Sequence, residues 1–68
     1  MTETYIIRIL LDGKQKETAK ATSKEASMKL IRDSDTSMTK LGYRKVSFSK
    51  VRIDKKHITT ITLDYSRP

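Results

Sequence analysis

Sixty-eight residues allow one domain with a marginal core, and at this size help from a disulfide, a metal or a partner chain is common. Cysteine is absent and His57 is the sole histidine, which excludes a disulfide framework and nearly excludes a metal site built from nitrogen and sulfur ligands. Fifteen Lys and Arg against eight Asp and Glu give a formal net charge of +7, a field that attracts polyanions, although surplus lysines also serve solubility alone.

The opening Met1-Thr2-Glu3-Thr4 has neither the basic nor the apolar stretch of a signal peptide, and no apolar run approaches the roughly 20 residues that span a bilayer. These features predict a soluble cytoplasmic protein without a membrane partner, stabilised by efficient packing or as a homodimer.

Tyr5 to Leu11 is rich in apolar and β-branched residues, which predicts a strand over about 4–11 that stops at Asp12-Gly13, a strong hairpin signal. The second arm runs over about 15–21. Parity bears on the loop. A three-residue loop, Leu11-Asp12-Gly13, joins Tyr5, Ile7, Ile9 and Leu11 to Glu17, Ala19 and Ala21 and collects Arg8, Lys16, Thr18 and Lys20 opposite. That register separates apolar from basic side chains and is preferred.

Thr22-Ser23-Lys24-Glu25 has the capping-box form, a Thr hydroxyl facing an amide three residues on and a Glu carboxylate reaching back, so a helix is predicted over about 23–41. Ala26, Leu30, Ile31, Met38 and Leu41 fall within one arc about 140° wide, the face built to be buried. Gly42 supplies the left-handed residue that ends it. Asp33-Ser34-Asp35-Thr36-Ser37 are poor helix formers and argue for a break near 33–37. Met38 and Leu41 nevertheless stay in phase with Ala26 and Leu30, which favours continuity.

Beyond the helix, a strand is predicted over about 44–53. Val46 and Phe48 share one parity and Val51 and Ile53 the other, so both pairs face a core only if a bulge sits near Ser49-Lys50. Asp54-Lys55-Lys56-His57 forms a turn. The last strand, about 58–65, alternates plainly, with Ile61, Leu63 and Tyr65 on one side and Thr60, Thr62 and Asp64 on the other. The chain thus reads as a single α+β domain of ββαββ order, one amphipathic helix on one face of a four-stranded, mainly antiparallel sheet. Strand order is open at this point.

For catalysis a nucleophile with a base, two carboxylates in unlike environments or a phosphate-cradling loop is needed, and no such arrangement is legible. His57 lies in a Lys-rich turn, where a plain turn residue outweighs a general base or ligand. Asp33-Ser34-Asp35 resembles a calcium loop only faintly. A non-enzymatic protein is expected, without cofactor, metal or small-molecule substrate.

The remaining candidate is the sheet face the helix leaves bare. On the registers above it carries Arg8, Lys16, Lys20, Lys45, Lys50 and Arg52 among Thr18, Ser47, Thr60 and Thr62, a mixture suited to phosphate oxygens. An ordinary solvated sheet also carries Lys and Thr outward. Tyr5, Phe48 and Tyr65 have core parity, which leaves no stacking platform for single-stranded bases. The first expectation is therefore a small regulatory or accessory protein contacting nucleic-acid backbone. Ile6, Leu10 and Ile58 share that outer face and motivate the alternative, a protein-binding module, inhibitor or adaptor, that holds an acidic partner or a second copy. A small basic chain without catalytic chemistry also fits an accessory protein of a phage or mobile element.

Overall fold

Alternation on a period of two and one long amphipathic stretch produce two hairpins joined by a helix. The computed structural model describes residues 3–68; Met1-Thr2, read above for signal-peptide character, lie outside them. Strand β1 spans Thr4–Leu11, β2 Lys14–Ala21, helix α1 Lys24–Lys40, β3 Arg44–Ile53 and β4 Ile58–Ser66, with a 3-10 turn at Asp54–Lys56. The sheet order is β2-β1-β4-β3. Each hairpin is antiparallel, and the two meet through the parallel pair β1 and β4 at the centre of a mixed sheet. The α+β ββαββ expectation holds.

In the first hairpin the predicted faces are right and the predicted loop is not. Leu11 pairs with Lys14, so the loop is the two residues Asp12-Gly13, both with positive φ (54° and 78°). Two such residues twist in the sense of the flanking strands. The extra residue lies in β2, where Leu10 pairs with Gln15 but Ile9 with Glu17, leaving Lys16 in a bulge. That bulge restores the parity placing Ala19 opposite Ile7 and Ala21 opposite Tyr5.

Helix α1 starts one residue later than the capping box implied. Ser23 is the N-cap, its Oγ accepting from the Ala26 amide at 3.1 Å. The helix runs unbroken through 33–37, because tertiary packing of Leu30, Ile31 and Met38 outweighs weak local propensity. Its end is a Schellman motif: the Tyr43 amide donates to the Met38 carbonyl and the Gly42 amide to the Thr39 carbonyl, both at 3.0 Å, with Gly42 at φ 85°. The buried arc is turned from the predicted one. Ser27 is buried, its hydroxyl donating to the Lys24 carbonyl, whereas Ala26 and Leu41 are exposed. A small residue lets the helix approach the sheet, and its own hydrogen bond removes the penalty of burying a hydroxyl.

Ile7, Ile9 and Leu11 of β1, Ala21 of β2 and Ile61, Leu63 and Tyr65 of β4 form the buried core, with Thr59 beside them. Tyr5, Leu30, Ile31, Met38 and Tyr43 pack around it. Strand β3 is the main departure. Val46, Phe48, Val51 and Ile53, all expected inside, are exposed, as is every residue of the strand. The reason is width. A helix about 10 Å across covers two to three strands spaced about 4.8 Å apart, not four. Here α1 lies mainly over β1 and β2, and the molecule measures 41 × 20 × 14 Å, a slab with one edge uncovered.

Candidate interaction surfaces

The exposed strand presents a different chemistry on each side. Directly paired residues on neighbouring strands share a sheet face, so the register sorts the side chains. Lys45 lies opposite Tyr65, Phe48 opposite Leu63, Lys50 opposite Ile61 and Arg52 opposite Thr59, all on the helix side. Ser47, Ser49, Val51 and Ile53 lie opposite Asp64, Thr62, Thr60 and Ile58, on the outer side. The bulge that sets this parity falls at Val46, between Lys45 and Ser47, and not at Ser49-Lys50.

The six cations expected on one face are therefore divided. Arg8 and Lys20 lie on the outer face, and Lys16 projects from the β2 bulge. Lys45, Lys50 and Arg52 belong to the helix side. Their compensation differs as well. Arg8 donates to the neutral Gln15 side chain. Arg52 reaches the Glu3 carboxylate and also pairs with Asp54 at 2.8 Å, so its charge is matched. Lys45 pairs with Asp35 at 3.2 Å. Among the described residues Lys16, Lys20 and Lys50 have no carboxylate partner.

On the outer face the aliphatic residues collect at one end. Ile53 pairs with Ile58, and in the next row Val51, Thr60, Ile6 and Lys20 follow one another across the four strands. Ile6 and Ile58, named from sequence, are brought together. Leu10 is not, since it stands four residues from Ile6, about 13 Å along β1, with Arg8 between. Val51 and Ile53 were missed because they were assigned to the core. They are 57% and 47% exposed.

On the helix side a cleft of about 420 Å3 separates α1 from β3, lined by Met28, Ile31, Arg32, Asp35 and Phe48. Phe48 is 54% exposed, so the helix side does offer an aromatic surface that its core parity appeared to rule out. The Lys45 ammonium lies 5.8 Å from the ring centroid, a cation over the negative face of the ring. At one wall, the Tyr65 hydroxyl donates to Asp35, whose other oxygen takes Lys45. Burial, and then the Asp35 carboxylate that accepts from it, push the Tyr65 phenol up to about 12. Asp35 is thereby engaged on both oxygens.

His57, in a left-handed conformation after the turn, has Nδ1 3.9 Å from Glu3, and among the described residues no cluster of His, Asp and Glu is arranged to hold a metal. Among the same residues, no helix is long and apolar enough to cross a membrane. Comparison of the chain with protein-family models, curated proteins and solved structures finds no match, so the functional reading rests on these surfaces alone.

Proposed function

We propose that this chain is a non-enzymatic interaction module that docks an acidic partner protein on the outer face of its sheet, through Ile6, Val51, Ile53 and Ile58, with Lys20 and Arg8 at the rim. One observation carries the reading: on the outer face the half-exposed Val51 and Ile53 of β3 adjoin Ile58 of β4 and Ile6 of β1, so four branched aliphatic side chains gather at one end of a face that no helix covers. Contiguous apolar surface with a charged rim on a small soluble domain is the pattern of a partner interface. The +7 net charge and the unpaired Lys20 favour an acidic partner. A second copy fits less well, because facing two outer sides doubles a same-sign rim; among the described residues Asp64 is the only carboxylate in the paired rows of the outer face, and it already accepts from the Gly13 amide.

The test compares wild-type protein with Val51→Asp/Ile53→Asp as immobilised bait in host extract, after circular dichroism establishes that both are folded. The proposal expects an acidic protein, retained by the wild type and weakened at least tenfold with the variant, since two buried carboxylates without partners cost more than 1.4 kcal/mol. Equal retention by both baits overturns it. So does light scattering that finds a wild-type dimer and a monomeric variant, which assigns the face to self-association.

A further inference from the structure

We propose that the cleft between α1 and β3 binds single-stranded nucleic acid, with a base stacked on Phe48 and phosphates met by Lys50 and Arg32. The site lies on the opposite side of the sheet from the aliphatic patch and stands independently of the protein-docking reading. It rests on a juxtaposition the register creates. Phe48 and Lys50 are neighbours on the helix side of β3, opposite Leu63 and Ile61; Phe48 lines the cleft together with Arg32 of α1, and Lys50 lies two residues along the strand from the ring.

Each component suits such a strand. A ring with about half its surface open offers a face on which any base can stack, and Met28 and Ile31 line the rest of a space within the usual range of ligand sites. Among the described residues Lys50 and Arg32 have no carboxylate partner, so their charges are free for phosphate. Lys45 marks the ring face as accessible to a cation and is held beside it by Asp35. Asp35, the one acid lining the cleft, is taken up by Lys45 and the Tyr65 hydroxyl and leaves no free anion to repel phosphate.

The same features select the form of the ligand. A duplex keeps its base faces stacked on one another and presents none to Phe48, whereas a single strand presents them freely. An acidic peptide satisfies the cations equally, but its carboxylates bring no aromatic face to stack on the exposed ring. Phosphate charge with an unstacked base answers both.

The experiment is fluorescence anisotropy with a labelled oligothymidylate of about a dozen nucleotides, its RNA counterpart, a duplex of the same length and a polyglutamate competitor, from about 50 to 200 mM salt. Binding of the single strands is expected, tighter than that of the duplex and falling steeply as salt rises. Phe48→Leu, which keeps an apolar side chain but removes the ring face, is expected to weaken single-strand binding roughly tenfold, in line with the loss of one stacked base. Lys50→Gln is expected to weaken it and to flatten the salt dependence. Lys29→Gln, which removes a helix cation outside this cleft, and Val51→Asp/Ile53→Asp, which alters the outer face, are expected to stay within about threefold of wild type. The proposal is overturned by no binding at low salt, by duplex bound as well as single strand, by Lys29→Gln matching Lys50→Gln, or by an unaffected Phe48→Leu. Full displacement by equal charge of polyglutamate also overturns it, assigning the cleft to an acidic protein.

Discussion

Leu63 and Phe48 are directly paired residues on the same face of adjacent strands, and the fold predicts sharply different costs for truncating them. Leu63 on the central strand β4 is 0% exposed, and Phe48 on the edge strand β3 is 54% exposed. Leu63→Ala removes a fully covered side chain and leaves a cavity, a change costing about 3 to 4 kcal/mol. A domain of this length has roughly 3 to 10 kcal/mol of stability in all, and a core this small belongs at the low end. Leu63→Ala is therefore expected to unfold most of the population. Phe48 has just under half its surface covered, on the order of 90 Å2, which at about 25 cal/mol per Å2 is at most about 2 kcal/mol and nearer 1 kcal/mol once unfolded-state compaction and the retained Cβ are counted. Urea titration followed by far-UV circular dichroism measures the Phe48→Ala cost, and the folded fraction of Leu63→Ala without urea, set against the wild-type stability, measures the other. A Phe48→Ala cost equal to that of Leu63→Ala refutes the reasoning, because it means that the helix covers β3 and that the cleft is closed.

Ser23→Ala is expected to lower stability by about 1 kcal/mol and Thr22→Ala by much less in the same titration, since Ser23 and not Thr22 accepts from the helix amides. Gly42→Ala is expected to cost about 1 kcal/mol for conformational reasons alone, because a Cβ there meets nothing within 4 Å while φ is 85°. The Tyr65 phenol, pushed up to about 12 in the folded chain against 10.0 for the free group, binds its proton more tightly when folded. Its contribution to stability is complete below pH 10 and is lost as the pH rises from 10 to 12, at up to about 1.4 kcal/mol per pH unit and less where solvent around the half-exposed Asp35 screens the site. Tyr65→Phe should remove that increment, so the difference between the two proteins across alkaline urea titrations isolates it from the lysines that titrate in the same range. A constant difference from pH 9 to 12 counts against it.

Period-two alternation placed Ile7, Ile9, Leu11, Ile61, Leu63 and Tyr65 correctly because β1 and β4 are central and have one buried face, the condition under which alternation reports burial. The same pattern failed for β3, since it says which residues share a face and nothing about whether a helix extends over that face. The two bulges mattered equally. An extra residue was expected in the first loop and found at Lys16, which left the faces unchanged. In β3 it was expected at Ser49-Lys50 and found at Val46, which moves Lys50 and Arg52 to the helix side and sends Val51 and Ile53 outward. One misplaced bulge thus divided the six-cation cluster and hid the aliphatic patch, whereas the aromatic cleft was missed because the helix stops short of β3 and leaves Phe48 uncovered on its expected side. Ser27 escaped notice because apolar periodicity does not register a small polar residue at a close approach.

Strand β3 accordingly carries two chemistries on one backbone, branched aliphatic residues outward and an aromatic ring with cations toward the helix. Its open edge is charged and interrupted by a bulge. Arg44, Lys45, Lys50, Arg52 and the bulge at Val46 are the devices that discourage edge-to-edge pairing.

Docking of an acidic protein on the outer aliphatic patch is the proposal on which the functional reading stands. Methyl-resolved NMR of the isotopically labelled chain, titrated with the partner that the wild-type bait retains, tests it most directly. The methyl signals of Ile6, Val51, Ile53 and Ile58 are expected to move while those of Ile7, Ile9 and Ile61 in the core hold their positions. Shifts confined to Met28, Ile31 and the cleft, or an outer patch that stays unchanged at saturation, contradict it.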